Sequence, residues 1–460
     1  MPASLTRDLM KSVLDWEPDA GMADATQAAR ALLLDHLAVA AWGAQSDVAT
    51  MMREHVIDDL SRRGAQLPIV GASVRTSPVE AAMANAVAAA CYEFDDTYTA
   101  GSSHPGAVIF PAALAAAALA HCDERRFLKA VVVGYEVMCR TALAVNPHAH
   151  RARHFHPTST TGHFGAAAAA AVCFDLDVER AVAALALAGT AAGGSMQFLV
   201  EGAVTKQLHP AYAVQRGVQA AQLARRGFPG LADPIGGTRG FLAGQSEDPR
   251  PDRLLDGLGS RPAEITQTGI KPYPSCRNTQ SPVDALFNLL GRHPLRAEDV
   301  AEVRFGLIKP GIATVFEPAE RRRRPDTLAD AQFSMPFVAA MVLRHGVLGP
   351  EQFAPENYRD PAVLALMDRV RCVHDDDLDK RYPAAWPAWV EIVTTDGQRL
   401  RGEAEHPKGD PANPLTTAEL AEKIDGLMKH CYDQTRLAAI VDAVERLPER
   451  GTLATILDLV

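Results

Sequence analysis

A series of alanine-rich apolar runs fills the first part of the chain and constrains its fold more than any other feature. Alanine is the strongest helix former, and its small side chain lets neighbouring helices pack closely. The apolar residues recur at the spacing of one helical face, without the strands of a βαβ series. The runs are Ala25–Trp42, Ala81–Ala90, Ala112–Ala120, Ala130–Ala144, Ala166–Val172 and Ala181–Ala191. The sequence therefore predicts an all-helical domain over this part of the chain.

A different pattern begins in the second half of the chain, where short alternating stretches appear. Glu302–Gly306 and Trp389–Thr395 alternate apolar and polar residues, as half-buried strands do. Asp396 and Gly397 separate the second stretch from Arg399–Ala404, which predicts a β-hairpin. Helical patterns return near the end of the chain. We therefore predict a mainly α fold with an all-helical domain (1–267 plus 413–460) and an inserted α+β lid domain (268–412).

Composition and charge restrict the class of protein. The 460 residues are 47% hydrophobic, and a net charge of −10 with interspersed acids and bases disfavours a nucleic-acid surface. No window approaches the roughly 18 apolar residues of a membrane span. Asp8 and Asp15 stand where a signal peptide would have its apolar core, and the seven cysteines form no CxxC pair. We expect a cytoplasmic protein with neither nucleic-acid nor membrane partners.

One short polar segment lies between two of the alanine-rich runs. It contains the acids Glu93, Asp95 and Asp96, then Thr97, and soon afterwards His104 in a His-Pro-Gly turn. Acids and a histidine between buried helices cost desolvation energy unless they are paired or used. His104 has the pKa range for proton transfer, with an acid setting its tautomer. Helix capping is the structural alternative, but it requires only one or two of these groups.

A second segment is dense in histidine. His148, His150, His154 and His156 precede a threonine-rich stretch that leads into the predicted helix Gly165–Cys173. A helix N-terminus next to basic residues suits a carboxylate. A His-x-His pair on a strand would share one face and bind metal, provided that a third ligand is present. A solvated loop with no function is the remaining alternative.

Two further segments supply cations. Lys206 follows the paired glycines of Gly193–Pro210 in an apolar context, where a lysine suits a substrate carboxylate, although a surface lysine is the default. Neither a Walker loop nor a GxGxxG motif is present, which disfavours nucleotide binding. Lys271 and Arg277 flank a Pro-Tyr-Pro turn in Lys271–Gln280, a predicted loop. These two cations suit a di- or tricarboxylate, and an ordinary charged linker is the alternative.

Taken in order, these segments resemble the MmgE/PrpD family, which includes 2-methylcitrate dehydratase, cis-aconitate decarboxylase and iminodisuccinate epimerase. The resemblance covers nearly the whole chain and implies a helical domain built from both termini, an inserted α+β lid, a homodimer, and no metal or organic cofactor. The phrases that carry it are FDDTYTAGSSHPGAVIFPAALA, FHPTSTTGHFGAAAAAA, GSMQFLVEGAVTKQLHPAYAVQRG, GIKPYPSCRNTQSPVDA and DAQFSMPF.

The resemblance also implies a set of site residues. The expected catalytic residues are His104, His156, Lys271, Glu93 and Thr97. The expected substrate-binding residues are Lys206, Arg277 and Gln280. Glu93 stands where the decarboxylase type has aspartate, and Gln280 stands where many relatives have histidine.

The function that this resemblance implies is a cofactor-free lyase, a dehydratase or decarboxylase, acting on a small di- or tricarboxylate. His104 and His156 would transfer protons, Thr97 and Glu93 would orient His104, and the cations would bind carboxylates. An epimerase or isomerase of a small dicarboxylate is the alternative, because two proton-transfer groups suit inversion equally well. A non-catalytic carboxylate-binding protein would keep the cations and lose the histidines.

Overall fold

Helices built from the alanine-rich runs dominate the computed structural model, which describes residues 4–16, 23–58, 66–259 and 263–460. The chain divides into two units by its internal contacts. The first unit comprises Met1–Cys91, Asp95–Gly269 and Thr417–Val460, and the second comprises Tyr92–Phe94 and Ile270–Thr416. The prediction of a mainly α fold is confirmed.

The first unit contains fifteen of the α-helices in the described residues and one two-stranded hairpin. Its first twelve helices are α1 (Leu5–Leu14), α2 (Ala23–Gly43), α3 (Asp47–Asp58), α4 (Pro78–Ala90), α5 (Gly106–Ala120), α6 (Glu124–Ala144), α7 (Pro147–Ala152), α8 (Pro157–Cys173), α9 (Val178–Gly189), α10 (Phe198–Glu201), α11 (Leu208–Arg225) and α12 (Phe241–Gln245). The hairpin is formed by β1 (Leu67–Pro68) and β2 (Arg75–Thr76).

The second unit combines short helices with one mixed sheet. Its helices are α13 (Arg277–Arg292), α14 (Lys309–Val315), α15 (Ala319–Arg322), α16 (Leu328–Gln332), α17 (Met335–His345), α18 (Pro355–Arg359), α19 (Pro361–Met367) and α20 (Asp376–Asp379). Its strands are β3 (Val300–Leu307), β4 (Val370–His374), β5 (Ala388–Thr394) and β6 (Arg399–Ala404). The chain then returns to the first unit through α21 (Thr417–Met428), α22 (Gln434–Glu445) and α23 (Thr452–Leu459).

Small residues allow the central helices of the first unit to approach closely. Every residue of α8 is buried, including the alanines Ala166–Ala171. A Cβ atom added at Gly165 would lie 2.6 Å from Met138 Cβ on α6, and one added at Gly134 would lie 3.0 Å from Ala169 Cβ on α8. The α6–α8 contact therefore requires glycine on both helices. This tightly packed core supports the segment that precedes α5 and the segment that precedes α8.

The sheet of the second unit has the order β4-β3-β5-β6, with β3 parallel to β4 and the other pairs antiparallel. Residues of β5 alternate between buried and partly exposed positions, as the sequence predicts for a strand with one face on a core. The predicted hairpin is confirmed, with Trp389 opposite Glu403 and Val393 opposite Arg399. A Cβ added at Gly402 would lie 2.5 Å from the Ala285 carbonyl oxygen, so α13 packs closely on β6.

Two predicted element boundaries are wrong. The loop predicted to run from Lys271 to Gln280 ends at Cys276, because only the residues before it contain the Pro-Tyr-Pro turn and α13 begins at Arg277. The helix predicted from Gly165 begins at Pro157, where a proline fits the first helical position because no helical acceptor is available for its missing N–H. Within the described ranges, we find no helix with the length and apolarity needed for a membrane span.

Candidate active site

His104 is held in one tautomer by the segment before α5. Its Nδ1 lies 2.8 Å from the carbonyl oxygen of Asp96, which can only accept a hydrogen bond. Nδ1 therefore carries the proton, and the lone pair of the neutral ring is on Nε2. Thr97 Oγ1 lies 3.3 Å from the same nitrogen, and Asp95 Oδ1 lies 3.7 Å from it. A carboxylate at this distance stabilises the imidazolium that forms when Nε2 takes up a proton.

Buried polar contacts fix the backbone around His104. Thr97 and Gly269 exchange two backbone hydrogen bonds of 2.8 and 2.9 Å, and the His104 amide donates to Thr158 Oγ1 at 3.1 Å. The carboxyl group of Asp96 accepts from Tyr135 Oη at 2.6 Å and from the Gly106 amide at 2.8 Å. Burial is the main cause that raises the pKa of Asp96 to about 7. Asp96 is thus an anchor of the turn, as one of the sequence alternatives predicts.

Glu93 and Lys271 form a buried ion pair in the second unit. Lys271 Nζ donates to the Glu93 carbonyl oxygen at 2.8 Å and lies 3.8 Å from Glu93 Oε2. The two side chains are 0% and 5% exposed, so neither charge is compensated by water. Glu93 has a φ of 52°, a left-handed conformation that costs a glutamate roughly 1 kcal/mol or more. This backbone conformation brings the Glu93 carbonyl oxygen, as well as its carboxylate, to the lysine.

Arg277 has its own carboxylate partner in the same unit. Its Nη2 donates to Asp410 Oδ2, and its guanidinium lies over the Trp386 ring at 5.6 Å from the centroid. The Nε of Arg277 is buried and has no hydrogen-bond partner among the described residues. Burial, the main cause, lowers the pKa of Arg277, and the nearby Asp410 raises it. Arg277 therefore keeps one unused donor beside a charge that is already paired.

The side chain of Gln280 donates hydrogen bonds to the loop that precedes α13. Its Nε2 donates to the carbonyl oxygens of Tyr273 and Ser275 at 3.2 and 3.1 Å, and it also lies 3.1 Å from Ser275 Oγ. The side-chain carbonyl oxygen Oε1 is buried and unpaired within the described residues. The structure thus gives Gln280 a defined role in shaping the loop, and its predicted role in substrate binding stays a prediction.

His156 stands directly before α8, and its ring contacts a histidine that the sequence analysis does not single out. His156 Nδ1 lies 2.9 Å from His209 Nδ1. Burial, the main cause, and the charges of His209 and His104 hold the pKa of His156 well below its usual value. Lys206 is buried one turn before His209, and its charge adds to the burial that lowers the pKa of His209 to about 4. Burial and the neighbouring charges therefore favour the neutral form of both His156 and His209.

The metal-binding alternative for the histidine-rich segment loses its geometric basis at the first His-x-His pair, His148 and His150. His148 and His150 lie on helix α7, not on a strand. Side chains two residues apart on a helix point in different directions, so the pair does not share one face. His150 is instead fixed by the Gln245 carbonyl oxygen at 2.9 Å and by Thr160 Oγ1 at 2.8 Å.

The structure brings some of the predicted residues together and leaves others with different partners. Thr97 contacts His104, and Glu93 contacts Lys271. Asp95 and His209 are the groups that sequence reasoning missed as partners. The adjacent acids gave no basis for choosing Asp95, and His209 lies 53 residues from His156, so only tertiary contact reveals the pair.

Comparison with known proteins gives matches over almost the full length. The MmgE/PrpD N-terminal domain model matches residues 7–254, and the MmgE/PrpD C-terminal domain model matches residues 273–447. The cis-aconitate decarboxylase-like protein oryM of Aspergillus oryzae is 28% identical over 99% of this chain and 97% of its own length. The human cis-aconitate decarboxylase is 28% identical over 84% of this chain and 80% of its own. The Aspergillus terreus cis-aconitate decarboxylase is 24% identical over 85% and 83%.

Proposed function

We propose that this chain, which belongs to the MmgE/PrpD family, is a lyase that removes CO2 or water from a small di- or tricarboxylic acid without a cofactor. The observation that carries the proposal is the fixed tautomer of His104, whose Nδ1 donates to the Asp96 carbonyl oxygen at 2.8 Å. A histidine held in this way has a basic Nε2 with a defined direction, which general acid–base catalysis requires.

His104 has the surroundings of a group that both accepts and returns a proton. As a base, its Nε2 takes a proton, and the resulting imidazolium is stabilised by the Asp95 carboxylate 3.7 Å from Nδ1. As an acid, the imidazolium returns the proton from Nε2. Thr97 and the Asp96 carbonyl oxygen keep the ring in the same orientation through both steps.

The buried cations are the proposed carboxylate-binding groups. Lys206 in the first unit and Lys271 and Arg277 in the second are each less than 9% exposed. Charges in a dry environment act strongly on a developing negative charge. Lys271 and Arg277 are already paired with Glu93 and Asp410, which keeps both cations charged before a substrate arrives.

Decarboxylation of cis-aconitate is the first reaction to test, since several relatives are named for it. In that reaction a C–C bond breaks, CO2 leaves, and the electron pair left on carbon takes a proton. His104 in its imidazolium form supplies this proton, and solvent restores it. In a dehydration, by contrast, His104 takes the proton from carbon while hydroxide leaves with a proton from a second acid, for which His156 is the proposed group.

The test is incubation of the protein with cis-aconitate, 2-methylcitrate, citrate and iminodisuccinate in D2O, followed by NMR. A new alkene or loss of CO2 supports the lyase. Deuterium at a stereocentre without elimination would assign the chain to an epimerase instead. The His104→Ala variant is the control, and turnover that persists in this variant at the wild-type rate would refute the proposed role of His104.

We further propose that the protein is a homodimer, as the family resemblance implies. Light scattering coupled to size-exclusion chromatography measures the mass directly. A species of the 49.3 kDa chain mass at micromolar concentration would refute this proposal.

A further inference from the structure

The contact between His156 and His209 is flanked by the aromatic ring of Phe198. The two rings meet with their Nδ1 atoms 2.9 Å apart, and their centroids are 5.1 Å apart at an interplanar angle of 42°. Phe198 packs edge-on against both rings, with centroids 5.7 Å away in each case. An apolar wall therefore flanks the contact, and the two nitrogens have each other as hydrogen-bond partners.

The backbone of His156 is also fixed. Its amide donates to the Gly194 carbonyl oxygen at 3.0 Å. Gly194 has a φ of 134°, and a Cβ atom there would lie 2.6 Å from both the Cβ and the Oγ of Ser159. Only glycine fits this conformation and this approach. The second of the paired glycines noted in the sequence, Gly194, thus brings the backbone close to α8 and fixes the position of His156.

A nitrogen-to-nitrogen contact of this length defines how many protons lie between the rings. Two unprotonated Nδ1 atoms would repel each other through their lone pairs, and two protonated ones would clash. One proton must therefore lie between His156 and His209. It follows that one neutral ring carries its proton on Nδ1 and the other carries it on Nε2.

We propose that His209 is a positioning residue that shares one proton with His156 and switches His156 between a base and an acid. This inference rests on the proposed function, in which His156 transfers protons. In the base state, His156 Nδ1–H donates to His209 Nδ1, so His156 Nε2 has a free lone pair and His209 carries its proton on Nε2.

The switch conserves protons at every step. When His156 Nε2 takes a proton, His156 passes its Nδ1 proton to His209 Nδ1, and half-buried His209 releases its Nε2 proton to solvent. His156 is then neutral, with a proton on Nε2 that it can donate when its Nδ1 receives a proton from His209. As it donates that proton, the Nδ1 proton returns from His209 and solvent reprotonates His209 on Nε2 in the same step, so neither ring becomes an anion. The positive charge thus exists only briefly at the buried ring.

The surrounding charges favour this neutral pair. The titratable and charged groups that act on His156 are His209, His104, Arg151 and His150, and all of them lower its pKa, after burial. Those that act on His209 are Lys206 and His163, and both lower its pKa further after burial. A single histidine in these surroundings would rarely carry the second proton that an acid must donate, because its imidazolium is disfavoured. Sharing the proton with a more exposed ring removes this obstacle.

NMR of the full-length protein with 15N-labelled histidine tests the pair without a substrate. Signals are assigned with the variants His156→Gln and His209→Asn. In the wild-type protein we expect one Nδ1 of the two to be protonated and the other unprotonated from pH 5 to 8, with both rings neutral. In His209→Asn and His209→Gln, which cannot take up a proton, we expect His156 to change its tautomer distribution. Two Nδ1 atoms of the same kind in the wild type, or unchanged His156 signals in both folded variants, would overturn the proposal.

Kinetics test the switch, with 2-methylcitrate as the first probe substrate, because His156 is the proposed acid of a dehydration. We expect His209→Asn to lower kcat at least about tenfold while KM changes less than about twofold, because the proton transfer and not the binding is impaired. The matched control is His154→Asn, which removes an exposed histidine two residues before His156, where asparagine tolerates the φ of 64°. Wild-type kcat in a folded His209→Asn protein would overturn the switch. A wild-type protein inactive on every candidate acid would instead refute the proposed function, and the NMR result would still decide the pair.

Discussion

Two buried carboxyl groups, one in each unit, anchor the two loops that carry the proposed reactive groups. In the first unit, Asp96 accepts from Tyr135 Oη at 2.6 Å and from a backbone amide at 2.8 Å. In the second unit, Asp284 accepts from Tyr273 Oη at 2.9 Å and from the Lys408 amide at 2.6 Å. One anchor holds the turn before His104, and the other holds the Pro-Tyr-Pro loop.

The surroundings of the two anchors differ in charge. Burial is the main cause of both pKa shifts, which bring Asp96 to about 7 and Asp284 to about 6. The nearby acids Asp95 and Asp35 raise the pKa of Asp96 further, whereas the cations Arg277 and Lys408 lower that of Asp284. The two carboxyl groups therefore share a hydrogen-bond pattern but differ in pKa, because the charges around them differ.

The proposed reactive groups show the same contrast. The first unit presents histidines held neutral by burial, which suits proton transfer. The second unit presents Lys271 and Arg277 as buried cations, each beside a carboxylate, which suits carboxylate binding. Substitutions in the two units should consequently separate loss of activity from loss of stability.

The largest effect is expected for Lys271→Met. Removing the ammonium group takes away the lysine partner of the buried Glu93 carboxylate, which costs about 3–5 kcal/mol in the free energy of unfolding. Turnover should be abolished at the same time. Chemical denaturation and steady-state kinetics measure the two losses.

The double variant Lys271→Met with Glu93→Gln separates the two losses. A neutral amide replaces the carboxylate that has lost its lysine partner. Most of the free energy of unfolding should therefore return, while turnover stays absent. A double variant as unstable as Lys271→Met would show that the ion pair is not the source of the destabilisation.

His104→Ala should reduce activity nearly as strongly with little effect on stability. The ring supplies the proton-transfer group, whose loss costs about 10²- to 10⁴-fold in kcat. The variant keeps the hydrogen bond from the backbone amide of residue 104 to Thr158, so little of the local structure is lost. A thermal unfolding midpoint within a few degrees of the wild type, together with the kinetic loss, is the expected result. A large fall in this midpoint would contradict the assignment.

Asp96→Asn should change how stability depends on pH. The pKa of Asp96 is about 7 in the folded protein, above roughly 4 in the unfolded chain. The folded state therefore binds this proton more tightly, and the contribution of Asp96 to stability is full below about pH 4 and is lost as the pH rises through 7. Asparagine cannot ionise, so the variant should gain on the order of 3–4 kcal/mol relative to the wild type between pH 4 and 8. A pH-independent difference in unfolding free energy would contradict this expectation.

Asp284→Asn should show the same effect over a narrower range. With a pKa of about 6, the contribution of Asp284 is full below about pH 4 and is lost as the pH rises through 6. The expected gain of the variant is about 2–3 kcal/mol, smaller than for Asp96→Asn. The single variant Arg277→Met removes a cation that lowers the pKa of Asp284. The pH range over which the contribution of Asp284 to stability is lost should therefore move upward, towards that of Asp96. An unchanged window in the Arg277→Met protein would show that the cation is not what distinguishes the anchors.

Local sequence patterns were sufficient to predict several long helices of the first unit and the hairpin of the second. Alanine content predicted α2, α4, α5 and α6, and the Asp396-Gly397 turn predicted the β5–β6 hairpin, because these depend on neighbours along the chain. The start of α13 at Arg277 was missed, since a proline-rich stretch gives no measure of where the helix after it begins.

The candidate site was less predictable than the fold. Motif resemblance pointed to His104 and Lys271, but it did not reveal that the Asp96 carbonyl oxygen fixes the His104 tautomer. The metal-binding alternative also required a strand at His148 and His150, and the structure places this pair on α7. Backbone acceptors and helix starts depend on the local conformation, which residue identities alone leave open.

The sequence alone determined the mainly helical fold, the family and the residue types available for catalysis, because helix propensity, strand alternation and turn residues act over short distances. Tertiary structure decided which of those residues became partners. It grouped Tyr92–Phe94 with Ile270–Thr416, so that Glu93 meets Lys271 across 178 residues of chain, and it joined His156 to His209 across 53. Such pairs, and the burial that shifts their pKa values, exist only once distant segments pack together and exclude water.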